Sequence, residues 1–200
     1  MDFSKIKPIN CVVNNQLYEY KEEPSKYLFV DFDGTVRHTL DNSKNQRVKK
    51  GYGASYKRVP PNSVDQVKVY PIQDKLKEWI QAGYRIVGVT NQSGIQMGFI
   101  SMETCKDICK ETVKQLGVPF PVIFAPCKDG PIALTHLRKP DTGMVELAEK
   151  LFGPIDKKRS LLVGDYKSDI QMGNAANLRT FQVDPSKEGK DFPTAKKMAK

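Results

Sequence analysis

Five short apolar runs, separated by segments of helical spacing, constrain this chain more than any other feature. They are "KYLFVDF", "YRIVGVT", "FPVIFAP", "SLLVGD" and "RTFQV". Runs this short and this continuously apolar are the pattern of strands buried on both faces. Between them, "PIQDKLKEWIQAG" places Ile72, Leu76, Trp79 and Ile80 on one helical face and stops at Gly83. "SMETCKDICKETVKQLG" opens on a Ser101 N-cap, spaces Cys105, Ile108, Cys109, Val113 and Leu116 at helical intervals, and stops at Gly117. "TGMVELAEKLFG" and "KSDIQMGNAANL" complete the series. Strands alternating with helices imply an α/β fold, a Rossmann-like parallel sheet with helices on both faces.

The flanking segments read differently. "CVVNNQLYEY" alternates around Asn14-Asn15 and is expected to form a hairpin within an N-terminal extension, residues 1–25. Residues 37–70 lack periodicity, carry Gly51, Gly53, Pro60 and Pro61, and are expected to be an irregular insertion. At 200 residues the chain is expected to form one domain, 1–200.

Charge is localised. The net charge is +9, and residues 37–58 hold seven basic residues against Asp41, a surplus of six. Residues 186–200 hold five lysines against two acids, which accounts for the rest. A solvated surface explains such segments, but they are also the electrostatic footprint of a polyanion partner. No run approaches the roughly 20 apolar residues of a membrane span. The start, "MDFSKIKPIN", lacks a basic segment followed by an apolar stretch, so an intracellular location is expected. The four cysteines have no disulfide-framework spacing. Cys105, Cys109, Cys127 and His136 fall short of the tight local spacing of a closed zinc site.

In open α/β sheets the chemistry lies beyond the carboxyl ends of the strands. The first run ends in Asp31 and Asp33, the second in Thr90, the fourth in Asp165, and Lys139 follows the third. Each suits the cleavage of a phosphate monoester, a dianion that repels nucleophiles. Asp31, Asp165 and the backbone carbonyl of Asp33 offer hard oxygen ligands to Mg2+. Asp31 is the candidate nucleophile and Asp33 the candidate acid and base. Thr90 offers a hydroxyl, and Lys139 a compact positive charge, to the phosphoryl group. Asp169 is placed to orient Lys139 or a metal-bound water. Asn91, Ser93, Arg37 and Arg138 are the candidates for holding the rest of the substrate. Taken singly, Asp33-Gly34 is a turn, Thr90 a strand end and Asp165 a helix-start acid.

Together, "DFDGTV", "VTNQSG", "RKPDTGM" and "GDYKSD" resemble the four motifs of the haloacid dehalogenase-like phosphatases over residues 26–183. The resemblance implies a Rossmann-like domain, magnesium dependence, Asp31 as nucleophile, Asp33 as acid/base, Thr90 and Lys139 as phosphoryl contacts, and Asp165 as metal ligand. The 37–70 insertion is too short for a large independent cap domain, so a short or absent cap is expected. "LGVPFPVIFAP" followed by "LRKPDTGM" is most similar to the phosphatase half of polynucleotide kinase/phosphatase, within a branch that also holds histidinol-phosphate and heptose bisphosphate phosphatases. Those bacterial enzymes usually show arginine between the two aspartates and a cysteine-rich zinc loop. Here Phe32 sits between them and the loop has one cysteine.

The expected substrate is therefore a phosphorylated nucleic-acid end, a 3′-phosphate first, as in the processing and repair of nucleic acids. A small-metabolite phosphatase is the alternative. From other classes, an aspartyl-phosphate switch is disfavoured by Asp33, which serves hydrolysis, and a nucleic-acid-binding protein with a vestigial site by the completeness of the set. No P-loop "GxxxxGK[ST]" occurs, so no kinase half is encoded in these residues.

Overall fold

The computed structural model describes residues 1–39 and 59–198. The apolar runs become β2 (Lys26–Val30), β5 (Tyr84–Asn91), β6 (Val122–Ala125), β7 (Leu161–Gly164) and β8 (Arg179–Gln182). With β1 (Val12–Val13) they form a six-stranded sheet in the order β1-β6-β5-β2-β7-β8. Five strands run parallel, and β1 pairs antiparallel at the edge, Val12 opposite Ile123. β2, the first parallel strand in the chain, lies between β5 and β7. The strand order therefore reverses at β2, and its carboxyl end is the switch point of the sheet.

The helices are α1 (Gln73–Gln81), α2 (Met102–Leu116), α3 (Ile132–Thr135), α4 (Gly143–Phe152), α5 (Lys167–Ala175) and α6 (Ala195–Met198). β2→β5→β6 steps one way across the sheet, and β6→β7→β8 steps the other. Right-handed crossovers then put α1 and α2 on one face and α4 and α5 on the other. The boundaries follow local chemistry. Ser101 Oγ accepts from the Thr104 N–H at 3.0 Å, and Gly117 closes α2 at φ +67°. The α1 stripe is narrower than its spacing implies: Leu76 and Trp79 are buried, whereas Ile80 is 40% exposed.

Two expectations are corrected. The 12–20 segment is not a hairpin. After β1 the chain turns at Asn14, with φ +58°, into a 3-10 turn, Asn15–Leu17. The Tyr18 hydroxyl then meets both the N–H and the carbonyl of Ile86, each at 2.9 Å. Ile86 lies on β5 before pairing with β6 begins at Gly88, so Tyr18 satisfies backbone groups that would otherwise be bare. Nor is the 37–70 insertion irregular at its ends. β3 (Arg37–Thr39) and β4 (Val67–Val69) form a two-stranded antiparallel sheet, Arg37 opposite Val69, and β4 packs against α2. The lysines and tyrosines of residues 40–58 lie outside the described residues.

Candidate active site

Asp31 directly follows β2 and remains in the ladder, its N–H donating to Val163 O of β7 at 2.9 Å. The chain then turns sharply. The N–H groups of Thr35, Val36 and Arg37 all reach Phe32 O at 3.0–3.1 Å, and Gly34 adopts φ +93°, where a side chain would be strained. This turn leaves both motif aspartates at the switch point. Asp165, following β7, comes to the same place, and the Thr35 hydroxyl lies 3.3 Å from Asp31 Oδ2 and 3.4 Å from Asp165 Oδ1.

Lys139 arrives from the loop between α3 and α4. Its backbone is held by the Asn91 side chain, which accepts from Lys139 N at 3.0 Å and donates to Lys139 O at 3.3 Å. Its buried ammonium pairs with Asp31 Oδ1 and with Asp169 Oδ1 at 2.6 Å, and donates to Val89 O at 3.1 Å. Asp169 is fixed in the first turn of α5, accepting from Tyr166 N at 2.9 Å. It fits because residue 164 is glycine, where a Cβ would lie 2.3 Å from the Asp169 Cβ.

The electrostatics are those of crowded, buried carboxylates. Burial pushes Asp31 well above the usual carboxylate range, opposed by Lys139 and reinforced by Asp169, Asp165 and Asp33. Burial opposes the charge on Lys139, but Asp169 and Asp31 outweigh it and raise its pKa. Four carboxyl groups, Asp31, Asp33, Asp165 and Asp169, face two buried basic groups, Lys139 and Arg37. Asp31, Asp165 and Asp169 each present an oxygen within 4.8 Å of the others. Hard oxygen donors in excess of the buried basic groups fit a divalent cation of the magnesium type.

Asp33 is bound separately. Arg37 Nε donates to its Oδ1 at 2.8 Å and Nη2 to its Oδ2 at 3.2 Å. Gln92 Nε2 lies 2.9 Å from both Asp33 Oδ2 and the Thr90 hydroxyl. A pocket of about 240 Å³ unites Asp31, Asp33, Thr90, Lys139, Asp165 and Asp169, with Asn91, Tyr166, Ser168 and Pro60 at its walls.

Of the expected substrate contacts, Asn91 lines the pocket but spends its amide on the Lys139 backbone. Arg37 is fully buried and engaged by Asp33 and Thr112, so it is not placed to touch substrate. Ser93 and Arg138 are half-buried and do not line the pocket. Sequence reasoning missed Gln92, although strand alternation puts it on the same side as Thr90, and missed the Thr35 hydroxyl between Asp31 and Asp165. The cysteines are buried, and His136 Nε2 is 3.0 Å from Glu146 Oε2. Among the described residues, the aspartate group is the one with metal-ligating proximity.

Residues 26–198 match the model of the family described as polynucleotide kinase 3 phosphatase. The chain belongs to this family. It is a haloacid dehalogenase-like phosphatase by both sequence and fold. Among similar proteins is an uncharacterized 20.8 kDa protein of Autographa californica nuclear polyhedrosis virus, 34% identical over 84% of this chain and 78% of that one. The D-glycero-alpha-D-manno-heptose-1,7-bisphosphate 7-phosphatase of Photorhabdus laumondii is 37% identical over 54% of this chain, a match spanning 64% of that enzyme. The crystal structure of a D,D-heptose 1,7-bisphosphate phosphatase from B. bronchiseptica, complexed with magnesium and phosphate, shares the fold. Its TM-score is 0.58 at 22% identity, covering 78% of this chain and 79% of that one.

Proposed function

We propose that this member of the family is a magnesium-dependent phosphomonoesterase working through an aspartyl phosphate on Asp31. The convergence of Asp31, Lys139, Asp165 and Asp169 at the β2 switch point carries the reading. Asp31, Asp165 and the Asp33 carbonyl would hold the metal, which when bound would neutralise charge on the phosphoryl oxygens. Lys139 holds the Asp31 carboxylate in one orientation, and the Thr90 hydroxyl and Lys139 ammonium receive the phosphoryl oxygens. An Asp31 oxygen bonds to phosphorus while the ester P–O bond breaks, and Asp33 gives its proton to the departing oxygen. In the second half, Asp33 takes a proton from water as that water attacks phosphorus. The bond to Asp31 breaks and inorganic phosphate leaves.

For the substrate, the relatives with named activities favour a small sugar bisphosphate over the polynucleotide end that motif resemblance ranks first. The second reading, a 3′-phosphorylated polynucleotide, is supported by the family model and by the basic surplus of residues 37–58. Magnesium-dependent rates on a heptose bisphosphate, histidinol phosphate and 3′- and 5′-phosphorylated oligonucleotides separate the two. The sugar reading requires the heptose bisphosphate to be fastest, with rates indifferent to salt. A preference for the 3′-phosphorylated oligonucleotide that falls steeply with salt, through counterion release, overturns it.

A further inference from the structure

Arg37 opens the insertion yet is fully buried. Desolvating a guanidinium costs several kcal/mol unless its charge is paired and its donors are satisfied. Here each of the three nitrogens donates. Its fork grips both oxygens of Asp33, at 2.8 and 3.2 Å. Nη1 donates to Thr112 Oγ1 on α2 at 2.7 Å, and that hydroxyl donates on to Ile108 O at 2.8 Å. The guanidinium carbon lies 4.9 Å from the centre of the Phe32 ring. Phe32 in turn rests on Gly88, where a Cβ would come within 2.7 Å of the ring. The phenylalanine between the two motif aspartates is thus the platform on which Arg37 lies. The main chain of Arg37 belongs to the insertion hairpin, paired with Val69, and its carbonyl accepts from Gly34 N at 2.9 Å.

We propose that Arg37 is a positioning residue: anchored on Thr112 and Phe32, it fixes the Asp33 carboxylate in one rotamer and ties that rotamer to the root of the 37–70 insertion. The inference rests on the acid/base role given to Asp33 above. A planar fork suits this task, because two parallel N–H···O bonds set both the position and the plane of a carboxylate, which a lysine does not. An Asp33 free to rotate reaches the departing oxygen in only a fraction of encounters. In the first half-reaction the loss falls on substrates whose leaving group needs a proton, whereas any loss in hydrolysis of the aspartyl phosphate is common to all substrates.

The test compares p-nitrophenyl phosphate, whose leaving group departs without help, with β-glycerophosphate, whose alkoxide does not. Arg37→Gln is expected to lower kcat/KM, which reports the steps up to departure of the leaving group, by about 10²-fold on β-glycerophosphate, the usual scale of a general acid. On p-nitrophenyl phosphate kcat/KM changes by less than about 10-fold, and the ratio of the two kcat/KM values carries the test. Thr112→Val keeps the shape of α2, carries the test should Arg37→Gln not fold, and is expected to move the ratio the same way by a smaller factor. Arg37→Lys restores only part of the ratio. Equal losses of kcat/KM on both esters, or folded variants with an unchanged ratio, overturn the proposal. Asp33→Asn in the same assay separates the two levels. If it shifts the ratio while Arg37→Gln and Thr112→Val do not, the positioning role fails alone. If Asp33→Asn also leaves the ratio unchanged, the acid/base reading falls and the positioning role with it.

Discussion

The two rims of the central sheet hold cavities of opposite character. At the amino ends of the strands, Lys26, Glu78, Tyr84, Arg159, Arg179 and Lys196 line a cavity of about 520 Å³, roughly twice the volume of the pocket at the carboxyl ends. Its polar groups are spent locally. Arg179 Nη2 donates to Met198 O at 2.6 Å, Tyr84 to Arg159 O at 3.0 Å, and Glu78 accepts from Lys196 N at 2.8 Å. At the carboxyl rim the charges are buried and drawn together from β2, β7, α5 and the Lys139 loop. The larger cavity lies where α1 and the short α6 meet the amino ends of the strands. Crowding of like charges in a buried place costs stability and persists where it does chemistry. The smaller pocket is therefore the one to which function is assigned.

The comparison breaks most clearly at Asp31. Asp31→Asn keeps the shape and removes the nucleophile, so turnover is expected to fall by at least about 10³-fold, while circular dichroism and the melting temperature show an intact fold. Near-normal turnover in that variant removes the carboxyl rim from the mechanism.

Gly164→Ala probes the same rim from behind. A methyl 2.3 Å from the Asp169 Cβ forces that side chain, and with it Lys139, to move. A stability loss of about 1–3 kcal/mol is expected, with turnover falling further than the unfolded fraction explains. Thermal melts and rates on the same sample decide this. Wild-type turnover would show that the Asp169–Lys139 pair does not set the site.

Chelation gives a smaller and reversible effect. Magnesium at 100 times its dissociation constant stabilises the fold by about 2.7 kcal/mol. The melting temperature is therefore expected to fall on EDTA treatment and return with magnesium, and Asp165→Asn to blunt the response.

The amino rim supplies the smallest effect. Arg179→Ala removes one charge-assisted bond to a carbonyl, worth about 1–2 kcal/mol. Denaturant titration is expected to register that loss while turnover stays within about twofold. A large drop in rate would abolish the distinction between the rims.

The sequence by itself determined the alternation of strands and helices, because apolar period and capping residues such as Ser101, Gly83 and Gly117 act locally. It also determined which strand ends carry acids, a threonine and a lysine. It did not show that Tyr18 would replace a hairpin, since that depends on a gap in the pairing of β5 near Ile86. Nor did it show that Arg37 would turn inward. As a basic residue opening a basic segment it reads as a surface charge, and only the packing of α2 and Phe32 around Asp33 makes a buried place for it. Asp31 and Asp165 lie 134 positions apart in the chain. They share a site because β2 and β7 are neighbours, joined by the bond from Asp31 N to Val163 O at 2.9 Å. Spacing along a chain governs groups within a turn of one another. Which buried charges meet across the sheet is decided by strand order and register, and these exist only once the tertiary structure has formed.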